Sequence, residues 1–111
     1  MTESPSFPWE VTPEQVRGQK APYLIVDVRE DWERTLASLP EVFPCPLAML
    51  LSQEETLKKL AQTHTLYVLC HHGVRSLQVV FLLRQRGLPQ VASIKGGIDA
   101  WALSLGGVGR Y

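Results

Sequence analysis

The run Leu66-Tyr67-Val68-Leu69-Cys70-His71-His72-Gly73-Val74-Arg75-Ser76 constrains the fold more than any other stretch of the chain. An apolar, β-prone segment stops abruptly at a cysteine. A short loop with one glycine follows, and Arg75 then opens a segment with helical periodicity. A thiol at the C-terminal tip of a strand, facing the start of a helix, sits where backbone N–H groups and the helix dipole converge. Such surroundings favour the thiolate, the form of cysteine that reacts. Cys70 therefore reads as a nucleophile in an anion-binding cradle.

The same alternation of strand and helix runs along the chain. Residues 1–8 form a Ser/Pro-rich lead-in, and residues 9–111 one domain. Thr12-Pro13-Glu14-Gln15 starts a short helix, with Thr12 as N-cap, Pro13 at the first helical position and Gln15 completing a capping box. Tyr23–Val28 is an almost continuously apolar run, as expected of a strand covered on both faces. Glu30–Ala37 reads as a short helix, and the proline-broken Val42–Leu47 as at best an edge strand. Ser52 is expected to cap a third helix, with Glu55 at the capping-box position. Thr65–Leu69 is a strand and Ser76–Arg86 a helix closed by Gly87, its apolar stripe at Leu77, Val80, Phe81 and Arg84. Val91–Ile94 is the last strand, Gly96-Gly97 a turn, and Ile98–Leu105 the last helix. This pattern predicts a mainly parallel sheet of about five short strands with helices on both faces. Asp27, Cys70 and Lys95-Gly96-Gly97 would then share the carboxyl edge, where sites of open α/β sheets lie.

Composition removes several function classes. A chain of 111 residues with zero formal charge has no basic stripe for nucleic acid. No apolar run approaches the ~20 residues needed to span a bilayer, and Met1–Pro8 lacks the basic and apolar regions of a signal peptide. Cys45 and Cys70 form no CxxC, so two free thiols in a reducing cytoplasm are expected. A metal site from Cys70, His71 and His72 is not expected, because adjacent residues converge poorly on one ion.

The chain resembles the single-domain rhodaneses, a family of sulfurtransferases. The blocks that carry the resemblance are Leu24-Ile25-Val26-Asp27-Val28-Arg29-Glu30 with Trp32-Glu33, the loop Cys70–Ser76, and Gly96-Gly97-Ile98-Asp99-Ala100-Trp101. One block departs from the family pattern. Where the family has a His-Ile-Pro-Gly-Ala-type turn, this chain has Ser38-Leu39-Pro40-Glu41-Val42. Loss of the glycine predicts a different turn, because Glu41 would resist a left-handed backbone.

The resemblance implies an α/β, rhodanese-like fold; no cofactor or metal is expected, and a monomer is the default expectation. It implies that Cys70 takes a sulfane sulfur from thiosulfate or a persulfide-bearing protein and passes it to a thiol, cyanide or a sulfur-carrier protein. The backbone from His71 through His72, Gly73, Val74 and Arg75 to Ser76 would hold the persulfide anion. Arg75 would orient an anionic donor through its guanidinium fork and add positive potential. Asp27 and Arg29 would brace the site as an ion pair, with Lys95, Gly96 and Gly97 forming a turn beside the loop. Two alternatives remain at this level. One is a rhodanese-like binding or regulatory module; the other is a cysteine-dependent phosphatase or arsenate reductase. Phosphatase loops hold one more residue between Cys and Arg than the four found between Cys70 and Arg75.

Overall fold

A computed structural model describes residues 7–111. The chain order is β1 (Glu10–Val11), α1 (Pro13–Arg17), β2 (Tyr23–Asp27), α2 (Asp31–Leu36), β3 (Phe43–Pro44), α3 (Glu54–Ala61), β4 (Thr65–Leu69), α4 (Val74–Gln85), β5 (Val91–Ile94) and α5 (Gly97–Leu105). The strands form one sheet in the order β1-β5-β4-β2-β3, and every pairing is parallel. The parallel five-stranded sheet is the expected architecture. After β2 the chain leaves to one side for β3, then returns to the other side of β2 as β4. That reversal opens a crevice at the carboxyl ends of β2 and β4, where open α/β sheets place their ligands.

Alternation along the central strands explains the two cores. Val26, Val28, Leu66, Val68 and Cys70 share one face with Leu57 of α3 and Val79, Val80 and Leu83 of α4. Ile25, Tyr67 and Leu69 share the other with Val16 of α1 and Ile98 of α5. Cys70 thus points toward α4. None of the helices among the described residues is long and apolar enough to cross a membrane.

Several local expectations are corrected. Helix α4 begins at Val74 rather than Ser76, so Arg75 lies inside its first turn. Its buried stripe is Ser76, Val79, Val80 and Leu83. Phe81 packs instead on Trp9, and the Arg84 guanidinium lies 3.8 Å from the Trp9 ring centroid. The stripe is rotated because the face toward the sheet must bring Ser76 to the cysteine. Ser52 caps nothing: it lies in the second of two 3-10 turns, 47–49 and 51–53, and its hydroxyl donates to the Met49 carbonyl. Those turns lead directly into α3, so no extended residue precedes the helix to act as a cap. Residues 1–6 of the expected lead-in lie outside the described residues. Phe7 and Pro8 are held through their carbonyls by Arg84.

Glu41 overturns the expectation that it would resist a left-handed backbone, for its φ is +58°. Its side chain is exposed and the turn between α2 and β3 imposes the conformation. The strain amounts to about 1–2 kcal/mol. A Glu41→Gly variant is therefore expected to be more stable by about 0.5–1 kcal/mol, after the extra freedom of the unfolded glycine is subtracted. Urea unfolding measures this; an unchanged or lower midpoint would contradict it.

Candidate active site

The loop that follows β4 wraps its main chain around one sulfur. Cys70 is 1% exposed. Its Sγ accepts the N–H groups of Gly73 at 3.0 Å and Ser76 at 3.3 Å. The Cys70 thiol donates to Ser76 Oγ at 3.2 Å, and Ser76 Oγ lies 2.6 Å from Ser93 Oγ. Gly73 makes the turn possible with φ +94°, and a Cβ there would come within 2.9 Å of the Gly96 nitrogen.

The carbonyls of the loop are held from the other side. Ile98 N–H donates to the Cys70 carbonyl at 2.9 Å, and Asp99 N–H to the His71 carbonyl at 3.1 Å. With those oxygens captured by the start of α5, the following N–H groups are turned toward the sulfur. Gly97 lies against the same two carbonyls as the first residue of α5, so the turn beside the loop is Lys95-Gly96 rather than the expected Gly96-Gly97. Lys95 is exposed next to it, with its N–H on the Val11 carbonyl.

Asp27 and Arg29 form an ion pair with no exposure, Arg29 Nη2 and Nε lying 2.8 and 3.0 Å from the Asp27 oxygens. Arg75 departs from its expected orientation. Its fork closes on Glu33 of α2, with Nη1 to Oε2 at 2.8 Å and Nη2 to Oε1 at 2.7 Å. The guanidinium is thus committed to a carboxylate and not turned toward an anion above Cys70. Glu33 also accepts the Glu30 N–H at 2.9 Å and the Tyr111 hydroxyl at 2.9 Å. These donors hold its carboxyl far below the usual range, from 4.5 to about 2, with the Arg75 contact the largest cause.

That depression fixes a sign. Glu33 is more acidic folded than unfolded, so its stabilisation is present above pH 4.5 and is lost as the pH falls toward 2. The loss is about 3 kcal/mol. Urea midpoints followed across that window should fall steeply for the wild type and less for Glu33→Gln. Parallel curves would contradict the assignment.

Neither Glu33 nor Tyr111 was given a role by the sequence. Glu33 follows Glu30 by three positions, the capping-box spacing, but nothing in the pattern points to an arginine 42 residues away. Tyr111 carried no signal at all. Its ring stacks on His71 with centroids 3.8 Å apart, its main-chain oxygen lies 2.8 Å from His71 Nε2, and its hydroxyl accepts from Arg29. Burial pushes its phenol up, against the lowering by Arg29. His71 therefore acts as a brace between the loop and Tyr111, while the His72 side chain is 61% exposed.

His71, His72 and Asp99 bring three possible ligand atoms within 4.8 Å of one another. The imidazoles are stacked, centroids 3.8 Å apart and planes 21° from parallel. An ion at about 2.0–2.1 Å from both nitrogens would lie well out of both ring planes. The Asp99 carboxylate is moreover engaged by Arg110 at 2.7 and 3.3 Å. Cys45 is free and buried, and burial pushes its thiol up, away from reactivity.

The chain has counterparts among known proteins. The model of the Rhodanese-like domain family matches residues 12–104. An adenylyltransferase and sulfurtransferase, MOCS3-1, of Zea mays is 36% identical over 84 residues, covering 72% of this chain and 18% of that protein. The chain spans 17–27% of the length of the first three curated relatives it matches. A sulfurtransferase of Allochromatium vinosum is 28% identical over 79 residues, 71% of each chain. A crystal structure of a rhodanese-related protein from Thermoplasma volcanium superposes with a TM-score of 0.76 at 27% identity, over 92% of this chain and 98% of that one.

Proposed function

The chain belongs to the rhodanese-like domain family, and from that premise we propose that it is a sulfurtransferase working through a persulfide on Cys70. The observation that carries the reading is the seating of the Cys70 sulfur on two main-chain N–H groups at the mouth of α4. In the first step the thiolate attacks the outer sulfur of a donor. For thiosulfate, a new S–S bond forms, the donor's own S–S bond breaks, and sulfite leaves with that electron pair. The negative charge now rests on the outer sulfur of the persulfide. On this reading the loop amides from His71 to Ser76 receive that charge, as the Gly73 and Ser76 N–H groups already receive the Cys70 sulfur.

In the second step an acceptor thiolate, or cyanide, attacks the outer sulfur. The Cys70 thiolate departs with the bonding pair, which restores the starting state. This is covalent catalysis in two displacements, with the logic of thiol–disulfide exchange. Arg75, its charge paired with Glu33, ties the start of α4 to α2, and orientation of an anionic donor falls to the loop amides. The donor is thiosulfate or a protein-borne persulfide; the acceptor is a thiol, cyanide or a sulfur-carrier protein.

Incubation with thiosulfate and with a protein-borne persulfide, read by intact mass, should add one sulfur, about 32 Da, placed on the peptide that holds Cys70. Absence of the adduct with every donor would overturn the reading.

A further inference from the structure

Sulfur transfer as described uses the main chain around Cys70 and leaves a buried pair of hydroxyls unexplained. Ser93 is the third residue of β5 and stands opposite Val68 in the register. It has no exposure, and Val91, Ala92 and Ile94 beside it are buried apolar residues. An alanine would fill such a strand position without a polar atom to satisfy. A serine there costs free energy unless its hydroxyl is paired. Among the described residues, the side-chain partner it finds is Ser76 Oγ, and Ser76 in turn touches the Cys70 sulfur. All three residues are buried, and hydrogen bonds connect them in series from β5 to the nucleophile.

We propose that Ser93, acting through the Ser76 hydroxyl, is a positioning residue that stabilises the Cys70 thiolate; the proposal rests on the reading of Cys70 as the nucleophile. Ser76 has one hydroxyl hydrogen and two neighbours to give it to. When Cys70 is a thiol, its S–H points at Ser76 Oγ, and the Ser76 hydrogen goes to Ser93. When Cys70 is a thiolate, both hydrogens reverse: Ser93 donates to Ser76, and Ser76 donates to sulfur. The reversal needs rotation of two hydroxyls and no movement of heavier atoms. Each bond polarises the next, so the sulfur meets a stronger donor than a lone serine offers. The thiolate gains this donor beyond the amides of Gly73 and Ser76, both when it attacks and when it departs as leaving group. Once an outer sulfur is attached, the charge moves outward and the pair relaxes.

The titratable and charged groups on the elements that surround the loop are His71 and His72 of the loop, Arg75 of α4, Asp27 and Arg29 at the end of β2, Glu33 of α2, the buried Cys45 after β3, Lys95 after β5, Asp99 of α5, and Tyr111. All of them are the same in wild type and serine variants, so a difference in pH profile reports the hydroxyls. The experiment follows alkylation of the Cys70 peptide by iodoacetamide against pH in wild type, Ser76→Ala, Ser93→Ala and the double variant, with melting temperatures alongside. Loss of a donor to the charged form disfavours that form, so the midpoint should move to higher pH. At neutral pH the rate should fall by about three- to tenfold in each single variant. The double variant should match Ser76→Ala, because Ser93 has no other route to the sulfur.

Profiles of either single variant that superimpose on the wild type would overturn the proposal, even if the melting temperature moves. Additive shifts in the double variant would overturn it too. If Ser93→Ala does not fold, an unshifted Ser76→Ala profile overturns it alone, and a shifted one supports it. Alkylation needs no sulfur donor, so failure of the sulfurtransferase reading would show in the mass experiment and not here.

Discussion

On the proposed chemistry, a Cys70→Ser variant is expected to keep the fold and take up no sulfur, with turnover reduced by more than about a thousandfold. The serine oxygen remains an acceptor for the Gly73 and Ser76 N–H groups that the sulfur now satisfies. It has neither the nucleophilicity nor the ability to carry a second sulfur. A Cys70→Ala variant should lose the same chemistry and also stability, because two buried N–H groups are left without acceptors. Each orphaned donor costs about 1–3 kcal/mol. Steady-state turnover and urea unfolding of the two variants separate chemistry from architecture. Retained sulfur uptake in Cys70→Ser would remove the cysteine from its role.

The second large effect is expected at Gly97, away from the reacting atoms. A Cβ at this position would stand 2.4 Å from the carbonyl oxygens of both Cys70 and His71, and φ is +63°. The obstructing atoms are main chain, so no side-chain rotation relieves the overlap. Gly97→Ala must push the start of α5 off the loop or bend the loop itself. Either movement breaks the bonds from Ile98 N–H and Asp99 N–H that hold those carbonyls. The expected loss is about 3 kcal/mol or more, and sulfur uptake falls with it as the amides turn away from Cys70. Thermal unfolding and the rate of persulfide formation measure the two parts. A well-folded Gly97→Ala with wild-type uptake would show that the loop does not depend on α5.

Much of the architecture is legible in local pattern, and particular residues show why the rest is not. Thr65–Leu69 and Val91–Ile94 have the expected bounds because each is a short apolar run between polar or turn residues. The capping box of Thr12 and Gln15 is present as expected, both of its bonds being local. β1 gave no signal. Two residues, Glu10 and Val11, have no periodicity, and they join the sheet through pairing with β5. Glu41 is not legible because its intrinsic preference against a left-handed backbone is outweighed by a turn whose ends are fixed by α2 and β3. The candidate site divides in the same way. Cys70 and its loop are contiguous and readable, whereas the partner of Arg75 comes from α2 and the prop under His71 from residue 111. Charge balance predicts that an arginine in the first turn of a helix needs a reason, but not which carboxylate supplies it. Ser93 is legible as a lone hydroxyl in an apolar strand, but its partner Ser76 lies 17 residues away and is not.

The grip of α5 on the loop has a consequence for the order of events in synthesis. A growing chain that has reached Ile94 already contains the cysteine, the loop and the helix after it. It does not yet contain the two amides, of Ile98 and Asp99, that hold the Cys70 and His71 carbonyls. Until those residues emerge, the carbonyls of Cys70 and His71 lack the two bonds that hold the loop from the α5 side. If Cys70 is the nucleophile proposed above, its loop therefore reaches its final geometry only once α5 has been made, after the cysteine itself has already been exposed to oxidation and disulfide exchange.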